Sequence, residues 1–134
     1  MIYVEWRDNM SVGNTEMDEH NKKFIGMINK IHDSLSRGNA PLVIPEILLE
    51  LRNYAGYHFD FEETLMKSGN YPEYQRHNQE HITFISEVVD MYYKYYFCPC
   101  GDDLGYEVLN FLNEWFTKHI TGTDKKLAQF LGRN

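Results

Sequence analysis

The sequence is poor in cysteine and proline, and it has neither a long apolar run nor an excess of basic residues. Its 134 residues include two cysteines and four prolines, and its formal net charge is −7. No apolar stretch approaches the roughly 20 residues of a membrane-spanning helix, and the N-terminus lacks the basic and apolar segments of a signal peptide. The acidic charge argues against nucleic acid or an anionic membrane as a partner. We therefore expect a complete, small cytoplasmic protein.

The two cysteines, Cys98 and Cys100, are separated only by Pro99. Cysteines at this spacing rarely form a structural disulfide, and nothing else in the sequence indicates an oxidising compartment. We interpret them as free thiols in a loop. A redox switch or a weak site for a soft metal is the alternative interpretation.

The length favours a single domain that spans residues 1–134 and is large enough to bury a core. Hydrophobic residues make up 43% of the chain and charged residues 25%, which is typical of a folded globular protein. Aromatic residues make up 15%, with ten tyrosines and eight phenylalanines. This content predicts a bulky, well-filled interior.

Glycines and prolines divide the chain into four long segments with short connections, and no segment alternates apolar and polar residues as a strand would. Long helices with short loops pack antiparallel. We therefore predict an all-α fold, an up-down-up-down antiparallel four-helix bundle with an N-terminal arm that includes Trp6. We expect the helices to run from Thr15 or Asp18 to just before Gly38, from between Pro41 and Pro45 to Gly69, from Pro72 to Phe97, and from about Asp103 to about Thr121.

Each segment carries a stripe of apolar residues at spacings of three and four, the face that a helix buries in a bundle. Five of the six histidines and one glutamate interrupt these stripes. Buried imidazole and carboxylate groups are costly unless they are paired or bind a metal. One such residue would be ordinary, but six on four helices indicate a site between the helices. The stripes are His20, Phe24, Met27, Ile31 and Leu35; Leu48, Leu51, Ala55, His58, Glu62 and Leu65; Tyr74, His77, His81, Phe84, Val88 and Met91; and Val108, Leu112, Trp115 and His119.

The spacing of these polar residues supports a metal site. His77 and His81 are four residues apart, so their rings share one helix face and can bind a single ion. A second pair, one histidine and one glutamate, has the same spacing. Asp124 comes five residues after His119, near the expected end of the last helix, where its carboxylate can turn back toward the core. The candidate metal ligands are therefore His20, His58, Glu62, His77, His81, His119 and Asp124.

The number and type of these ligands indicate the metal. Seven ligands exceed the four of a structural zinc site, and calcium or magnesium would require mostly oxygen ligands. Imidazole with carboxylate suits iron, manganese or another mid-row transition metal. Two ions could share both carboxylates and one solvent-derived oxygen as bridges. Five histidines would then saturate one octahedral ion and leave the other with one open position, which suits a small molecule bound end-on.

This pattern closely resembles hemerythrin, and the surrounding sequence resembles the bacterial branch of that family. The resemblance covers the chain from about Trp6 to Phe130, and four segments carry it. They are SVGNTEMDEH ending at His20, YHFDFEETLM around His58 and Glu62, GNYPEYQRHNQEH ending at His81, and FLNEWFTKHITGTD ending at Asp124.

The resemblance implies a non-haem di-iron protein, not an enzyme, that binds dioxygen reversibly. Its cofactor would be two iron ions, Fe²⁺ or Fe³⁺, bridged by an oxo or hydroxo group. By the same resemblance, Glu62 and Asp124 bridge the two irons. The saturated iron binds His77, His81 and His119, and the iron that receives dioxygen binds His20 and His58.

The resemblance also predicts a dry pocket for dioxygen, because water and stray protons would turn reversible binding into oxidation. Phe59, Trp115, Phe116 and Ile120 lie close to the ligands in sequence. Ordinary core packing is equally compatible with all four. With two residues of the first helix added, the predicted pocket is Lys23, Phe24, Phe59, Trp115, Phe116 and Ile120.

Lys23 and Asn14 depart from the pattern, since the family usually has apolar residues at both positions. Lys23 could extend to solvent with its stem lining the pocket, or it could bring charge and water near the open iron. The second case would favour a di-iron oxidase, a peroxidase or a nitric-oxide-handling protein on the same scaffold. A module that senses oxygen or redox state, or one that delivers oxygen to an oxygen-consuming protein partner, is a further alternative.

Overall fold

In the computed structural model, which describes residues 4–97 and 103–132, every regular element is helical. Together the helices form the predicted all-α four-helix bundle, in which the last two α-helices and a π-helical segment between them supply the fourth member. Cys98 and Cys100 lie outside the described residues. The elements are a short 3₁₀ turn (Asp8–Met10), α1 (Thr15–Ser36), α2 (Ala40–Ser68), α3 (Tyr74–Phe97), α4 (Asp103–Glu114), the π-helical segment (Trp115–Thr123) and α5 (Asp124–Gly132).

Helix α1 begins at Thr15, as predicted, but its N-cap is Asn14 rather than Thr15 or Asp18. The side-chain oxygen of Asn14 accepts a hydrogen bond of 3.0 Å from the backbone N–H of Met17, which satisfies one of the free donors at a helix N-terminus. Asp18 instead accepts hydrogen bonds from the Ser11 hydroxyl and the backbone N–H of Val12. The departure of Asn14 from the family pattern therefore has a local structural reason.

The predicted apolar stripes face the interior. Helix α1 packs against α2 and α4, α3 packs against the same two helices, and α2 and α4 also touch across the bundle. At one end α4 approaches the α1–α2 turn closely. A Cβ atom on Gly105 would lie 2.8 Å from Leu35 Cδ2 and 2.9 Å from the Ala40 Cβ. Only glycine fits at this contact.

The predicted N-terminal arm runs back along α1. The side chain of Asn29 accepts from the Val4 N–H at 2.7 Å and donates to the Val4 carbonyl at 2.8 Å. The Lys22 ammonium lies 5.2 Å from the centre of the Trp6 ring. These contacts hold the arm against the outer side of the helix that carries His20.

The fourth member of the bundle does not end near Thr121, as the sequence suggested, but continues to Gly132. Gly122 between two threonines has the composition of a helix end. Burial of Leu127 in a small cluster with Met66 and Tyr71 favours continued helix beyond it. Tertiary packing here outweighs local propensity.

Within the described ranges, no helix combines the length and the apolarity that crossing a membrane requires.

Candidate metal centre

The centre lies inside the bundle, where facing turns of α2, α3 and the π-helical segment bring histidines and carboxylates together. The residues that sequence reasoning singled out on these elements are buried, with relative exposures between 0% and 2%. The four histidines and Glu62 project inward because they occupy core positions of their stripes. The buried set is His58, Glu62, His77, His81, His119 and Asp124.

The structure arranges this set as two groups that could each hold a metal ion and that share Glu62. In one group His77, His81 and His119 surround Glu62, and in the other His58 and Asp124 do. Within each group the candidate ligand atoms lie within 4.8 Å of one another. A carboxylate common to two groups is the arrangement expected of a bridging ligand.

The central carboxylate contacts imidazoles on several sides. Glu62 Oε1 lies 2.7 Å from His58 Nε2 and 3.5 Å from His81 Nε2, and Glu62 Oε2 lies 3.1 Å from His77 Nε2. Among the described residues, however, both Glu62 oxygens lack a partner in hydrogen-bond geometry, and so does Nε2 of His77, His81 and His119. Buried polar atoms that converge without hydrogen bonding fit a metal site, because an ion satisfies all of them at once.

The charges in the cluster also suit a cation. Burial lowers the pKa of His58, but the Glu62 and Asp124 carboxylates outweigh burial and raise the pKa to about 9. The same balance raises the pKa of His77 and of His119. Burial acts to raise the pKa of Glu62, yet the neighbouring imidazoles hold it well below its ordinary value. Metal binding would displace protons from these imidazoles.

The π-helical segment brings His119 and Asp124 to the same side of the chain. In an α-helix, residues five apart point about 140° away from each other. Here the Asp124 N–H donates to the His119 carbonyl, the i→i+5 pattern of a π-helix, and His119 Nε2 lies 2.9 Å from Asp124 Oδ1. Asp124 thus reaches the core although the helix does not end there. Such π-helical turns occur frequently at functional sites.

His20 stands at the edge of the cluster and belongs to neither group. Its ring is half-buried, and its Nδ1 lies 2.8 Å from His58 Nδ1, a hydrogen-bonding distance. The His20 ring also meets the rings of Tyr57 and Phe61 edge-on. Metal binding by His20 therefore stays a prediction, and it requires the ring to turn from His58 toward the carboxylates.

Aromatic rings line the ligands. Phe59 stacks on His81 with 3.9 Å between ring centres, and Trp115 stacks on His119 at 3.8 Å. Of the other predicted pocket residues, Phe24 and Ile120 are fully buried, and Phe116 packs half-buried against the core. Lys23 is exposed, and its ammonium lies 5.5 Å from the centre of the Tyr57 ring.

Sequence reasoning missed two residues that contact the ligands. Glu80 accepts a hydrogen bond of 2.9 Å from His119 Nδ1 and another of 2.9 Å from the Thr123 hydroxyl. Tyr54 is fully buried and stacks on His58, with 4.7 Å between ring centres. Tyr54 comes four residues before His58, so its spacing on the helix could have identified it as a neighbour of that ligand. Glu80 directly precedes His81, and this spacing gives no such indication.

We expect Glu80→Gln to lower metal affinity by roughly 10- to 100-fold. Glu80 fixes the orientation of the His119 ring and makes its Nε2 a stronger ligand, and the neutral amide would do both less well. Competition with a chelator of known affinity measures the change. Glu87→Gln, at an exposed position on the same helix, is the matched control. Equal metal affinities for the two variants would mean that Glu80 does not support the metal centre.

Sequence comparison places these features in a known family. The family described as "Hemerythrin HHE cation binding domain" matches residues 12–131. The chain belongs to the hemerythrin family.

Curated relatives agree with this membership. The chain is 32% identical over 124 residues to a bacteriohemerythrin of Pseudomonas aeruginosa, an alignment that covers 92% of this chain and 78% of the relative. It is 29% identical over 131 residues to a bacteriohemerythrin of Stenotrophomonas maltophilia, covering 96% of this chain and 81% of the relative. A crystal structure of a hemerythrin mutant superposes with a TM-score of 0.79 over 98% of both chains at 23% identity, which supports the fold.

Proposed function

We propose that this chain binds dioxygen reversibly at a di-iron centre, as a cytoplasmic carrier, storage or delivery protein whose single domain spans residues 1–134. The observation that carries the proposal is the pair of buried ligand groups that share Glu62. Two ions bridged by that carboxylate would have more imidazole than carboxylate ligands. Enzymes that activate oxygen on helical bundles usually have more carboxylates, so the composition favours binding.

The residues present fit iron, which takes imidazole and carboxylate together. His77, His81 and His119 would hold one ion and His58 the other, with His20 as its further predicted ligand. Glu62 and Asp124 would bridge the two ions. Such a centre supplies the electrons that reversible binding of dioxygen requires. The task of the protein is to orient these ligands and to keep the site dry.

The packing around the ligands supports that task. Stacked rings cover His81 and His119, and Phe24 and Ile120 close the interior. A water-excluded pocket of this kind protects a reactive bound molecule from protonation and onward chemistry. The outward position of Lys23, over Tyr57, favours the interpretation in which its charge stays in solvent. This position supports oxygen carriage over an oxidase or peroxidase activity.

Tyr54 can contribute a hydrogen bond to the pocket. Its hydroxyl is buried without a partner in hydrogen-bond geometry among the described residues. Burial raises the pKa of Tyr54 well above its ordinary value, and the nearby carboxylates of Asp124 and Glu62 raise it further. The hydroxyl therefore stays protonated beside the centre and is available to donate to a small molecule held there.

Replacing Tyr54 by Phe should lower dioxygen affinity about three- to tenfold, the loss expected for one hydrogen bond. The metal-free variant should be at least as stable as the original chain, because a buried hydroxyl without a partner is removed. Oxygen titration and chemical denaturation measure the two effects. Tyr57→Phe, at an exposed position near His20, is the control. Unchanged affinity together with lower stability would assign Tyr54 a packing role only.

The experiment that tests the proposed function is anaerobic reconstitution with ferrous iron, followed by cycles of oxygen and argon. We expect a visible absorption band that appears under oxygen and disappears under argon through repeated cycles. A band that decays in the first cycle to a stable oxidised spectrum would favour a redox sensor. Continuous consumption of oxygen and a reductant would favour an oxidase or peroxidase.

A further inference from the structure

Helix α3 has a second apolar stripe that faces solvent. Besides the buried stripe, this helix presents large apolar side chains at spacings of three and four along its outer side. Between 45% and 69% of each is exposed. An outer helix face is ordinarily polar, and a contiguous apolar face of this length marks an interaction site. The stripe is Ile82, Ile85, Val89, Tyr92 and Tyr96.

This stripe borders a groove of about 900 Å³ between α2 and α3. On the α2 side, Leu49 is 55% exposed, and Ala55 and Gly56 keep the middle of the groove open. A Cβ atom on Gly56 would meet nothing within 4 Å. The stacked rings of Phe59 and His81 belong to the groove lining, so a covering partner would also cover one side of the metal centre.

We propose that this face, α2 with α3, is the interface of a symmetric dimer and that its occupant is a second copy of this chain. Two of the three charged residues that line the groove, Arg52 and Asp60, lie symmetrically about its middle. Arg52 lies four residues before Gly56 and Asp60 four residues after it, and both line the groove. A two-fold axis near Gly56 places Arg52 of each copy opposite Asp60 of the other.

The register on α3 agrees with the same axis. Phe59 stacks on His81 and also contacts Phe84, so the antiparallel helices place Gly56 level with Ile85. An axis at that level pairs Ile82 of one copy with Val89 of the other. At the centre of the face, apolar side chains of the two copies therefore meet beside the Arg52–Asp60 pairs. Within the described part of the chain, neither Arg52 nor Asp60 takes part in an ion pair.

The face is large enough for a stable dimer. The 24 residues of α3 extend about 36 Å, and two packed helices are roughly 20 Å wide. The face therefore offers about 700 Å² per copy, close to the roughly 800 Å² per partner of a standard interface. The apolar stripe supplies the affinity, and the two Arg–Asp pairs fix the orientation.

Analytical ultracentrifugation of the full chain, with and without metal, tests the proposal. We expect a concentration-dependent dimer. Arg52→Asp or Asp60→Arg alone should weaken dimerisation about tenfold or more, because each reversal brings like charges together twice per dimer. The double variant should recover the original dissociation constant to within about threefold, since the reversed pairs attract again.

Ile85→Asp should give a monomer, whereas Tyr106→Asp, at an exposed position on α4 outside this face, should leave the dimer intact. The exchanged residues are exposed, so none of these variants depends on repacking the core. A chain that stays monomeric at about 100 μM, well above the dissociation constants of ordinary dimers, would overturn the proposal. So would a double charge reversal that fails to restore association. Dioxygen binding is tested separately, by the cycles of oxygen and argon.

Discussion

Replacing Glu62 by Gln should reduce metal content from two ions per chain to one or none and weaken the remaining affinity more than about 100-fold. The structure shares this carboxylate between both ligand groups, so its loss affects both ions. The metal-free protein should also lose stability. Removing the acid from a buried charge cluster leaves imidazolium groups uncompensated, at a cost of roughly 3–5 kcal/mol. Metal analysis and denaturant unfolding of the metal-free chain measure the two effects.

Glu63→Gln is the matched control, since it makes the same chemical change one residue along α2. The Glu63 side chain is 27% exposed, and its Oε2 lies 3.9 Å from His81 Nδ1. This contact is too long for a hydrogen bond, so Glu63→Gln should keep two ions per chain and most of the stability. Similar losses in both variants would mean that net charge in this region matters, and not the position of Glu62.

Inserting one alanine after Gly122 should remove the second ion and destabilise the C-terminal helix. The π-helical segment places Asp124 beside His119 at a separation of five residues. One added residue rotates the following chain by about 100°. The carboxylate of Asp124 would leave the centre, and Leu127 would leave its cluster with Met66 and Tyr71. Metal analysis and thermal unfolding measure the loss.

Gly122→Ala separates this effect from the loss of the glycine itself. The added Cβ atom would lie 4.0 Å from the Thr117 carbonyl oxygen, an ordinary contact. This substitution keeps the five-residue spacing, so the variant should bind two ions as the original chain does. An insertion variant that also retains both ions would contradict the role assigned to the π-helical segment.

The sequence predicted the bundle because each long helix repeats its apolar residues at the helical period, and short connections leave only antiparallel packing. It predicted the helix ends less well. The start of α1 at Thr15 was predicted, but its capping residue was not. Asn14 is the cap because its side chain reaches the Met17 N–H, and only the backbone geometry decides which of several polar residues does so. The last helix passes Gly122 because Leu127 is buried against α2 and the following turn, a contact that local sequence does not encode.

For the centre, the sequence identified the histidines and carboxylates because polar residues on apolar stripes are conspicuous. It did not identify what orients them. Glu80 lies on the edge of its helix, where a glutamate is ordinarily solvated, and its contact with His119 arises only when two helices pack. Tyr54 occupies an aromatic core position, and its stacking on His58 depends on side-chain rotamers. The position of the His20 ring likewise depends on its side-chain rotamer.

Reversible binding of dioxygen at a di-iron centre is tested most directly by the stoichiometry of dioxygen uptake by the anaerobically loaded chain. Metal analysis gives iron per chain, and an oxygen electrode gives the dioxygen taken up and then released under argon. We expect two irons per chain, one dioxygen for each pair, and complete release through successive cycles. A chain that binds one iron or none, or that takes up oxygen and releases none of it, would contradict the proposed function.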